Sequence, residues 1–386
     1  MQNNSSLSKV IPVLFGFFIM GFVDVVGIST SYVQADFDLS DTMANLLPMM
    51  VFLWFAIFSV PTGLLMNKIG RKNTVLLSMA VTFIAMLIPL IAYDYAIVLL
   101  AFAFLGIGNT ILQVSLNPLV SNVVSQDQLT SRLTLGQFIK AISSFLGPII
   151  AGFAAASLGN WKMLFPIFAA VTLISSLWLW LTPIPRDNRV EEVTSFKAAF
   201  SLLKDNAVLL LFFGILFVVG ADVGMNTATP KFIMERAGLP LEQAGLGTST
   251  YFAARTAGAL TGAIILATFS AKRFFKISMF VAIAAMVALV LSTNTVLIFI
   301  LVAVIGFALA NIFSIIFSLA LQKKPERGNE ISGLMIMGVA GGAVLPPLMG
   351  LVADAIGQVG SMLVILVAML YLLMTAYLVN TEGTSA

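Results

Sequence analysis

The chain has 386 residues, of which 60% are hydrophobic and only 10% are charged. This composition excludes an ordinary soluble globular domain and makes a lipid bilayer the natural surrounding of the chain. The absence of cysteine excludes disulfides, thiol catalysis and cysteine-ligated metal.

Apolar segments of about twenty residues, the length that crosses a hydrocarbon core of roughly 30 Å, recur along the whole chain. Because the bilayer core offers no water, the backbone of each segment must satisfy its own hydrogen bonds, which predicts helices and not barrel strands. The predicted spans 1 to 12 cover residues 10–33, 44–66, 74–93, 95–121, 133–157, 163–182, 207–230, 244–268, 274–292, 295–320, 331–353 and 358–379. We therefore predict an all-α polytopic membrane protein with twelve transmembrane helices.

Lys and Arg are distributed unevenly between the two sides of these spans. One side carries only Lys162, Lys231 and Arg236, and Lys140 and Arg255 lie inside spans. The other side carries fifteen, namely Lys9, Lys68, Arg71, Lys72, Arg132, Arg186, Arg189, Lys197, Lys204, Lys272, Arg273, Lys276, Lys323, Lys324 and Arg327. The positive-inside rule predicts that this second side and both termini are cytoplasmic, in the cell inner (cytoplasmic) membrane. The net charge of +3 therefore reflects topology, and we expect no binding to nucleic acid.

A polar linker separates two groups of six spans. We predict an N-terminal six-helix bundle at residues 1–182, a cytoplasmic linker at 183–206 and a C-terminal six-helix bundle at 207–386. A short interfacial helix is expected in the linker, around residues 195–203.

Weak internal similarity relates the two halves. In spans 1 and 7 it joins residues 21–27 with 220–224, and in spans 5 and 11 it joins 147–152 with 345–350. Parallel repeats of six spans are typical of a transporter with its binding site between two bundles, near the middle of the membrane.

The loop after span 2 has a distinctive spacing of glycines and basic residues. A generic positively charged loop would supply the charges but not the two glycines at this spacing. The loop resembles the cytoplasmic signature loop of the major facilitator superfamily, with Asn67 where an Asp is usual. The resemblance implies a cytoplasmic gating loop formed by Gly63, Asn67, Lys68, Gly70, Arg71 and Lys72.

Three further segments are similar to the fucose-galactose-glucose:proton symporter family within that superfamily. They are Ile111-Leu-Gln-Val-Ser-Leu-Asn-Pro118 in span 4, Arg132-Leu-Thr-Leu-Gly-Gln-Phe138 at the start of span 5 and Val219-Gly-Ala-Asp-Val-Gly224 in span 7. The resemblance implies the major facilitator fold, alternating access by two six-helix bundles and proton-driven sugar uptake.

The chain departs from the family pattern at three places. Gln113, which cannot titrate, stands where some members have Glu. Lys140 falls where the family tends to have Asn, so an anionic sugar derivative is an alternative to a neutral monosaccharide. The family's Asn-Asp pair in span 1 aligns with Gly27 and Ile28, one turn from Asp24 on the same face.

Four charged residues, Asp24, Lys140, Asp222 and Arg255, lie well within predicted spans. Each costs about 2.5–3.5 kcal/mol at the centre of a helix, which predicts that they face a cavity or one another and not lipid. One interpretation gives Asp24 and Asp222 to proton coupling. The alternative is structural, with Asp24 paired to Lys140 and Asp222 paired to Arg255.

Neutral polar residues form stripes on the predicted helices, and on span 4 they recur every four residues and so share one face. Amide side chains suit sugars because each offers both donors and an acceptor to hydroxyl groups. Hydrogen bonding between helices is the alternative role. The candidate substrate-binding residues are Asn109, Gln113, Asn117, Gln137, Lys140, Asn226, Arg255 and Asn311.

The sequence thus predicts a secondary active transporter, a proton-coupled symporter of a sugar or sugar derivative. Its partners are the solute, protons and the lipid bilayer, and we expect a monomer that uses the proton gradient and no cofactor. The alternatives are a proton-driven exporter of amphipathic molecules and a non-transporting membrane sensor. An enzyme is not expected, because the chain has no His, no Cys and no nucleotide-binding Gly-Lys motif.

Overall fold

The computed structural model describes residues 7–124, 126–184, 196–266, 268–324 and 327–379, and a helix occupies the position of every predicted span. In the first half these helices are Leu7–Met20, Gly21–Val25 and Val26–Phe37 (span 1), Asp41–Ala44 and Leu46–Ile69 (span 2), Arg71–Ile91 (span 3), Tyr95–Val120 (span 4), Gln126–Leu158 (span 5), and Trp161–Met163 and Leu164–Leu181 (span 6). The all-α prediction is confirmed.

The second half repeats this arrangement after the linker. Its helices are Asn206–Ala237 (span 7), Leu241–Ala244 and Leu246–Leu266 (span 8), Ala271–Leu291 (span 9), Thr295–Leu309 and Ile312–Lys323 (span 10), Gly328–Met337, Gly338–Ala340 and Gly341–Ile356 (span 11), and Gln358–Leu378 (span 12). The linker contains Phe196–Ser201 and Leu202–Lys204, where the interfacial helix was expected. Arg186 and Arg189 lie outside the described residues.

Eleven of the described helices are long and apolar enough to cross a membrane. The helix of span 8, Leu246–Leu266, has 21 residues, but Gly, Ala and Thr make it less apolar than the others, and it carries Arg255. Its small residues allow close packing, since a Cβ on Gly258 would lie 2.5 Å from the carbonyl oxygen of Phe307 in span 10. The protein is a multi-pass membrane protein.

The two halves share a register of helix starts. Helices begin at residues 41, 46, 71 and 95 of the first half and at 241, 246, 271 and 295 of the second. The same capping device recurs in spans 4 and 10. The side chains of Asp94 and Asn294 accept hydrogen bonds from the backbone N–H groups of Ile97 and Leu297. The weak repeat in the sequence therefore corresponds to a repeat in the structure, with matching helix starts in the two halves.

The hydrophobic core is divided in two. One cluster is built from side chains of spans 1 to 6, and a few side chains of the second half, such as Val223 and Val339, pack into it. The other cluster is built from spans 7 to 12 and the end of the linker. The exact domain limits stay a prediction, because residues 185–195 are not among the described residues.

Spans 1, 10 and 11 are each interrupted near the middle by a short segment that is not α-helical. Span 1 tightens to a 3-10 helix at Gly21–Val25, span 10 breaks between Leu309 and Ile312, and span 11 has a 3-10 turn at Gly338–Ala340. Such interruptions expose backbone polar groups that neighbouring helices must satisfy inside a membrane. They therefore create positions where buried amide side chains are needed.

Candidate functional site

The interruption in span 1 is held by an amide from span 4. Asn109, only 2% exposed, donates from Nδ2 to the carbonyl oxygen of Met20 at 2.8 Å. Its Oδ1 accepts a hydrogen bond from Gln113 Nε2 at 2.7 Å. Asn109, which we expected to bind substrate, is thus engaged within the protein, and Gln113 is half-buried beside it.

Asp24 lies inside this 3-10 segment. Its Oδ2 accepts a hydrogen bond from Ser144 Oγ of span 5 at 2.6 Å, and the same Oγ lies 3.1 Å from the carbonyl oxygen of Lys140. A hydroxyl group carries one proton, so Ser144 donates to only one of these oxygens at a time. If Asp24 is protonated, its carboxyl group can donate to Ser144 Oγ, and the Ser144 hydroxyl then donates to the carbonyl oxygen of Lys140. The site therefore accommodates both protonation states of Asp24.

The backbone of Asp24 is contacted across the bundle interface. Asn226 of span 7 donates from Nδ2 to the Asp24 carbonyl oxygen at 2.8 Å, and its own Oδ1 is buried without a hydrogen-bond partner among the described residues. The approach requires a glycine, because a Cβ on Gly27 would lie 1.9 Å from Asn226 Oδ1. Asn226, a candidate substrate ligand, instead joins the two bundles beside Asp24.

Asp222 and Arg255 form the ion pair that the structural interpretation predicts. Arg255 Nη2 lies 3.1 Å from Asp222 Oδ2, and the hydroxyl of Tyr251 donates to Asp222 Oδ1 at 2.6 Å. Tyr251 is completely buried, as a core residue would be, yet its hydroxyl holds the carboxylate. The only feature of the sequence that points to this bond is the spacing of Tyr251 and Arg255 by one helical turn.

Lys140 does not form the ion pair proposed for it with Asp24. No salt bridge within 4.0 Å joins Lys140 to any carboxylate of the described residues, although its charge acts on the Asp24 carboxylate. Asp222 and Arg255 also act on Asp24 across the bundle interface. The four intramembrane charges therefore form one electrostatic cluster instead of two isolated pairs.

The remaining candidates divide between exposed and buried positions. Asn117 and Gln137 are exposed, and no hydrogen bond to another described residue is present at either amide. Asn311 is buried and donates from Nδ2 to the carbonyl oxygen of Gly258 at 2.7 Å, so it ties span 10 to span 8 at the break. The part of span 10 that follows this break lines a cavity of about 640 Å³, whose lining residues are Leu266, Ser270, Ala271, Lys272, Ser314, Ile315, Ser318, Leu319 and Gln322.

The buried position of Asn109 and the exposed position of Asn117 predict different effects on stability when each amide is removed. Replacing Asn109 with Ala leaves the Met20 carbonyl unsatisfied, so we expect a loss of about 1–3 kcal/mol in the free energy of unfolding. Replacing Asn117 with Ala removes no contact and is expected to leave stability unchanged. Thermal unfolding of the two purified variants in detergent checks this, and equal stability of both would contradict the assignment.

At one end of the spans the bundles are joined by polar contacts, and we call it the closed end. Lys231 Nζ of span 7 lies 2.8 Å from Asp41 Oδ1, and Gln358 Nε2 donates to Asp41 Oδ2 at 2.8 Å. The backbone N–H of Asp41 and that of Thr42 donate to the carboxylate of Asp354 at 2.6 and 3.0 Å. Lys231 is only 8% exposed, so this ion pair is largely desolvated.

Among the described residues, the hydrogen bonds between the bundles lie at the closed end and in the middle of the spans. Besides those above and the Asn226 bond, Ser249 Oγ of span 8 donates to the carbonyl oxygen of Phe145 in span 5 at 3.0 Å. Among the described residues, no hydrogen bond joins the bundles at the opposite end, which we call the basic end because it carries the signature loop. The described polar contacts between the bundles are therefore concentrated at the closed end.

The signature loop fastens helices within the first bundle. Gly70 adopts a φ of 85°, which favours glycine, and lets span 3 begin directly after span 2. Arg71 Nη1 donates to the carbonyl oxygen of Pro118 at 3.1 Å, and Lys72 Nζ donates to that of Thr182 at 2.8 Å. Both cations thus satisfy carbonyls at helix C-termini, as expected of a positive charge there. Lys68 is exposed.

Comparisons with known proteins agree with this architecture. The family model described as Major Facilitator Superfamily matches residues 13–335. A protein of Brucella abortus named glucose/galactose transporter is 27% identical over 358 residues, covering 88% of this chain and 86% of that protein. The hexuronate transporter of Bacillus subtilis is 23% identical over 248 residues, covering 60% of this chain and 58% of that protein.

Solved structures share the fold at lower identity. The fucose:proton symporter FucP of E. coli superposes with a TM-score of 0.67 at 17% identity, covering 96% of this chain and 98% of that one. The nucleoside transporter NupG superposes with a TM-score of 0.79 at 16% identity, covering 97% and 98%. The twelve helices therefore adopt an arrangement known from transporters.

Proposed function

The chain belongs to the Major Facilitator Superfamily, and from this premise we propose that it is a secondary active transporter that takes up a monosaccharide or a close derivative together with protons. The observation that carries the proposal is the electrostatic cluster of Asp24, Lys140, Asp222 and Arg255 between the bundles. Similarity to the Brucella glucose/galactose transporter over 88% of the chain supports a sugar as the solute.

We propose that transport proceeds by alternating access, and the polar contacts between the bundles at the closed end support this proposal. The structure corresponds to a state closed on the side of Asp41 and Lys231, and transport requires those contacts to break while the basic end closes. If the basic end faces the cytoplasm of an inner-membrane protein with both termini inside, the structure is the inward-open state. One chain contains both bundles, so we propose that the monomer is the transporting unit.

Asp24 is the proposed proton carrier. It lies at the bundle interface, and Ser144 can serve either its ionised or its protonated form. Asp222 is less suited to this role, because Arg255 at 3.1 Å and the Tyr251 hydroxyl at 2.6 Å already contact its two carboxylate oxygens. We therefore assign proton coupling to Asp24 and a structural role to Asp222.

The solute is proposed to contact the exposed amides of spans 4 and 5. Asn117 and Gln137 keep unused donors and acceptors, and Gln113 lies one turn from Asn117 on the same face. Ser314 and Ser318 line the cavity of span 10 and offer hydroxyl groups from the second bundle. Asn109, Asn226 and Asn311 are left out, since the Nδ2 of each already donates to a backbone carbonyl oxygen.

Uptake by proteoliposomes tests the proposal. We expect wild-type protein to accumulate a radiolabelled sugar above equilibrium when the outside is made more acidic, and a protonophore to abolish the accumulation. A panel of neutral and acidic hexoses identifies the solute, with a sodium gradient as the alternative driving force. Accumulation driven by sodium, or no sugar uptake under any gradient, would refute proton-coupled sugar symport.

A further inference from the structure

The cluster contains one positive charge without a paired carboxylate. Arg255 is compensated by Asp222 at 3.1 Å, whereas Lys140 forms no salt bridge with any described residue and faces only the more distant charge of Asp24. While Asp24 is ionised, the four charges sum to zero. When Asp24 takes up a proton, the sum becomes +1, and the excess lies at Lys140.

An excess charge in this site opposes the movement of the bundles. Closing the basic end removes the cluster from water, and burial of an unpaired charge is strongly unfavourable. The empty carrier with ionised Asp24 is neutral and can reorient. A carrier with protonated Asp24 and a neutral solute has a net charge of +1 in this site, and this charge opposes reorientation. A solute with one negative charge restores neutrality.

Resting on the proposed function, we infer that the transported solute is a monoanionic monosaccharide derivative, such as a sugar acid, whose anionic group binds Lys140, and that its symport with one proton is electroneutral. Lys140 is half-buried and accessible, and the exposed Gln137 lies one turn away on the same face of span 5. Together they offer a cation for the acid group and an amide for hydroxyl groups.

The same contact couples the solute to the proton. The positive charge of Lys140 attracts the negative charge of the Asp24 carboxylate, and an anion bound to Lys140 cancels that attraction. Binding of the solute therefore favours protonation of Asp24, and protonation favours binding by the same factor. Asp222 and Arg255 also face Asp24, but because they are paired their charges change in neither step.

The membrane potential distinguishes the two solute classes in proteoliposomes. We expect D-galacturonate to accumulate under an inward proton gradient to a level that a valinomycin-imposed potassium potential does not change. A neutral sugar moved with one proton would carry one positive charge. A potential of about 100 mV, inside negative, would then raise its accumulation about 50-fold, since this potential acts with about 2.3 kcal/mol on each charge moved.

A charge-removing variant tests the binding group. Lys140→Gln is expected to raise the KM for D-galacturonate about 10- to 100-fold, as loss of a charge-assisted contact does. Lys276→Gln is the matched control, because Lys276 lies over the ring of Tyr377 near the basic end and is expected to leave the KM unchanged. If Lys140→Gln fails to fold, the potential dependence of wild-type protein still decides the question.

The outcomes separate this inference from the function on which it rests. Accumulation of D-galactose but not D-galacturonate, enhanced by the potential, would overturn the inference and leave proton-coupled sugar symport standing. Uptake of D-galacturonate with an unchanged KM in Lys140→Gln would overturn the role of Lys140. Failure of every neutral and acidic sugar to respond to the proton gradient would overturn both proposals.

Discussion

Replacing Asp24 with Asn is expected to abolish proton-driven accumulation of the solute while preserving its exchange across the membrane. An amide has the shape of the protonated acid but cannot release a proton, so the carrier would stay in the form that moves with solute. Its Nδ2 could donate to Ser144 Oγ, which would then donate to the Lys140 carbonyl oxygen. Binding and reorientation with solute would therefore survive.

Two assays on the same proteoliposomes check this prediction. Accumulation under an imposed pH gradient is expected to fall to the equilibrium level in Asp24→Asn, whereas counterflow of labelled solute against unlabelled solute at equal pH continues. Asp38→Asn is the matched control, because Asp38 is exposed and its left-handed φ of 49° is one that Asn also adopts readily. Accumulation by Asp24→Asn at the wild-type level would remove Asp24 from the coupling mechanism.

The intramembrane charges show what the sequence can predict. The cost of about 2.5–3.5 kcal/mol per charge in lipid was sufficient to predict that Asp24, Lys140, Asp222 and Arg255 meet one another or a cavity. Asp222 and Arg255 do meet, but Lys140 does not reach ion-pair distance from Asp24. The sequence could not predict this difference, because it depends on the 3-10 turn that sets the direction of the Asp24 side chain.

The amide residues show where prediction from spacing ends. A repeat of four residues placed Asn109, Gln113 and Asn117 on one face of span 4, but it could not say what that face meets. The carbonyl of Met20 needs a donor because span 1 departs from α-helical geometry there, and Asn109 supplies it. Asn226 and Asn311 also satisfy backbone carbonyls, so the structure favours the interhelical alternative for these three.

The closed end was not predicted at all. Asp41 and Lys231 are 190 residues apart, and each looks like an ordinary loop charge in the sequence. The prediction ended span 7 at residue 230 because the apolar run ends there, whereas the helix continues to Ala237. The ion pair with Asp41 offsets the cost of burying Lys231 and lets the helix extend into the contact.

Replacing Gly27 with Ala is expected to drive the closed end open. The new Cβ would lie 1.9 Å from Asn226 Oδ1 and 2.7 Å from the Asn226 carbonyl oxygen, and a rotamer change of Asn226 cannot relieve the second overlap. Overpacking of this kind costs about 1–3 kcal/mol, which shifts a two-state equilibrium about 5- to 150-fold. Since the clash exists only while the bundles touch here, the cost falls on the closed state and leaves the opposite state unaffected.

Thiol labelling measures this shift directly, because the chain has no cysteine and one introduced cysteine is its only thiol. Ser249→Cys is a suitable reporter, since Ser249 is 3% exposed and contacts the other bundle. A membrane-impermeant maleimide added at the closed end is expected to label it much faster when Gly27→Ala is present. Gly147→Ala is the control, because its Cβ would meet Val25 at an ordinary 3.6 Å. Equal labelling of the two variants would mean that spans 1 and 7 are not in contact in the membrane. It would therefore also contradict the hydrogen bond from Asn226 to the Asp24 carbonyl oxygen.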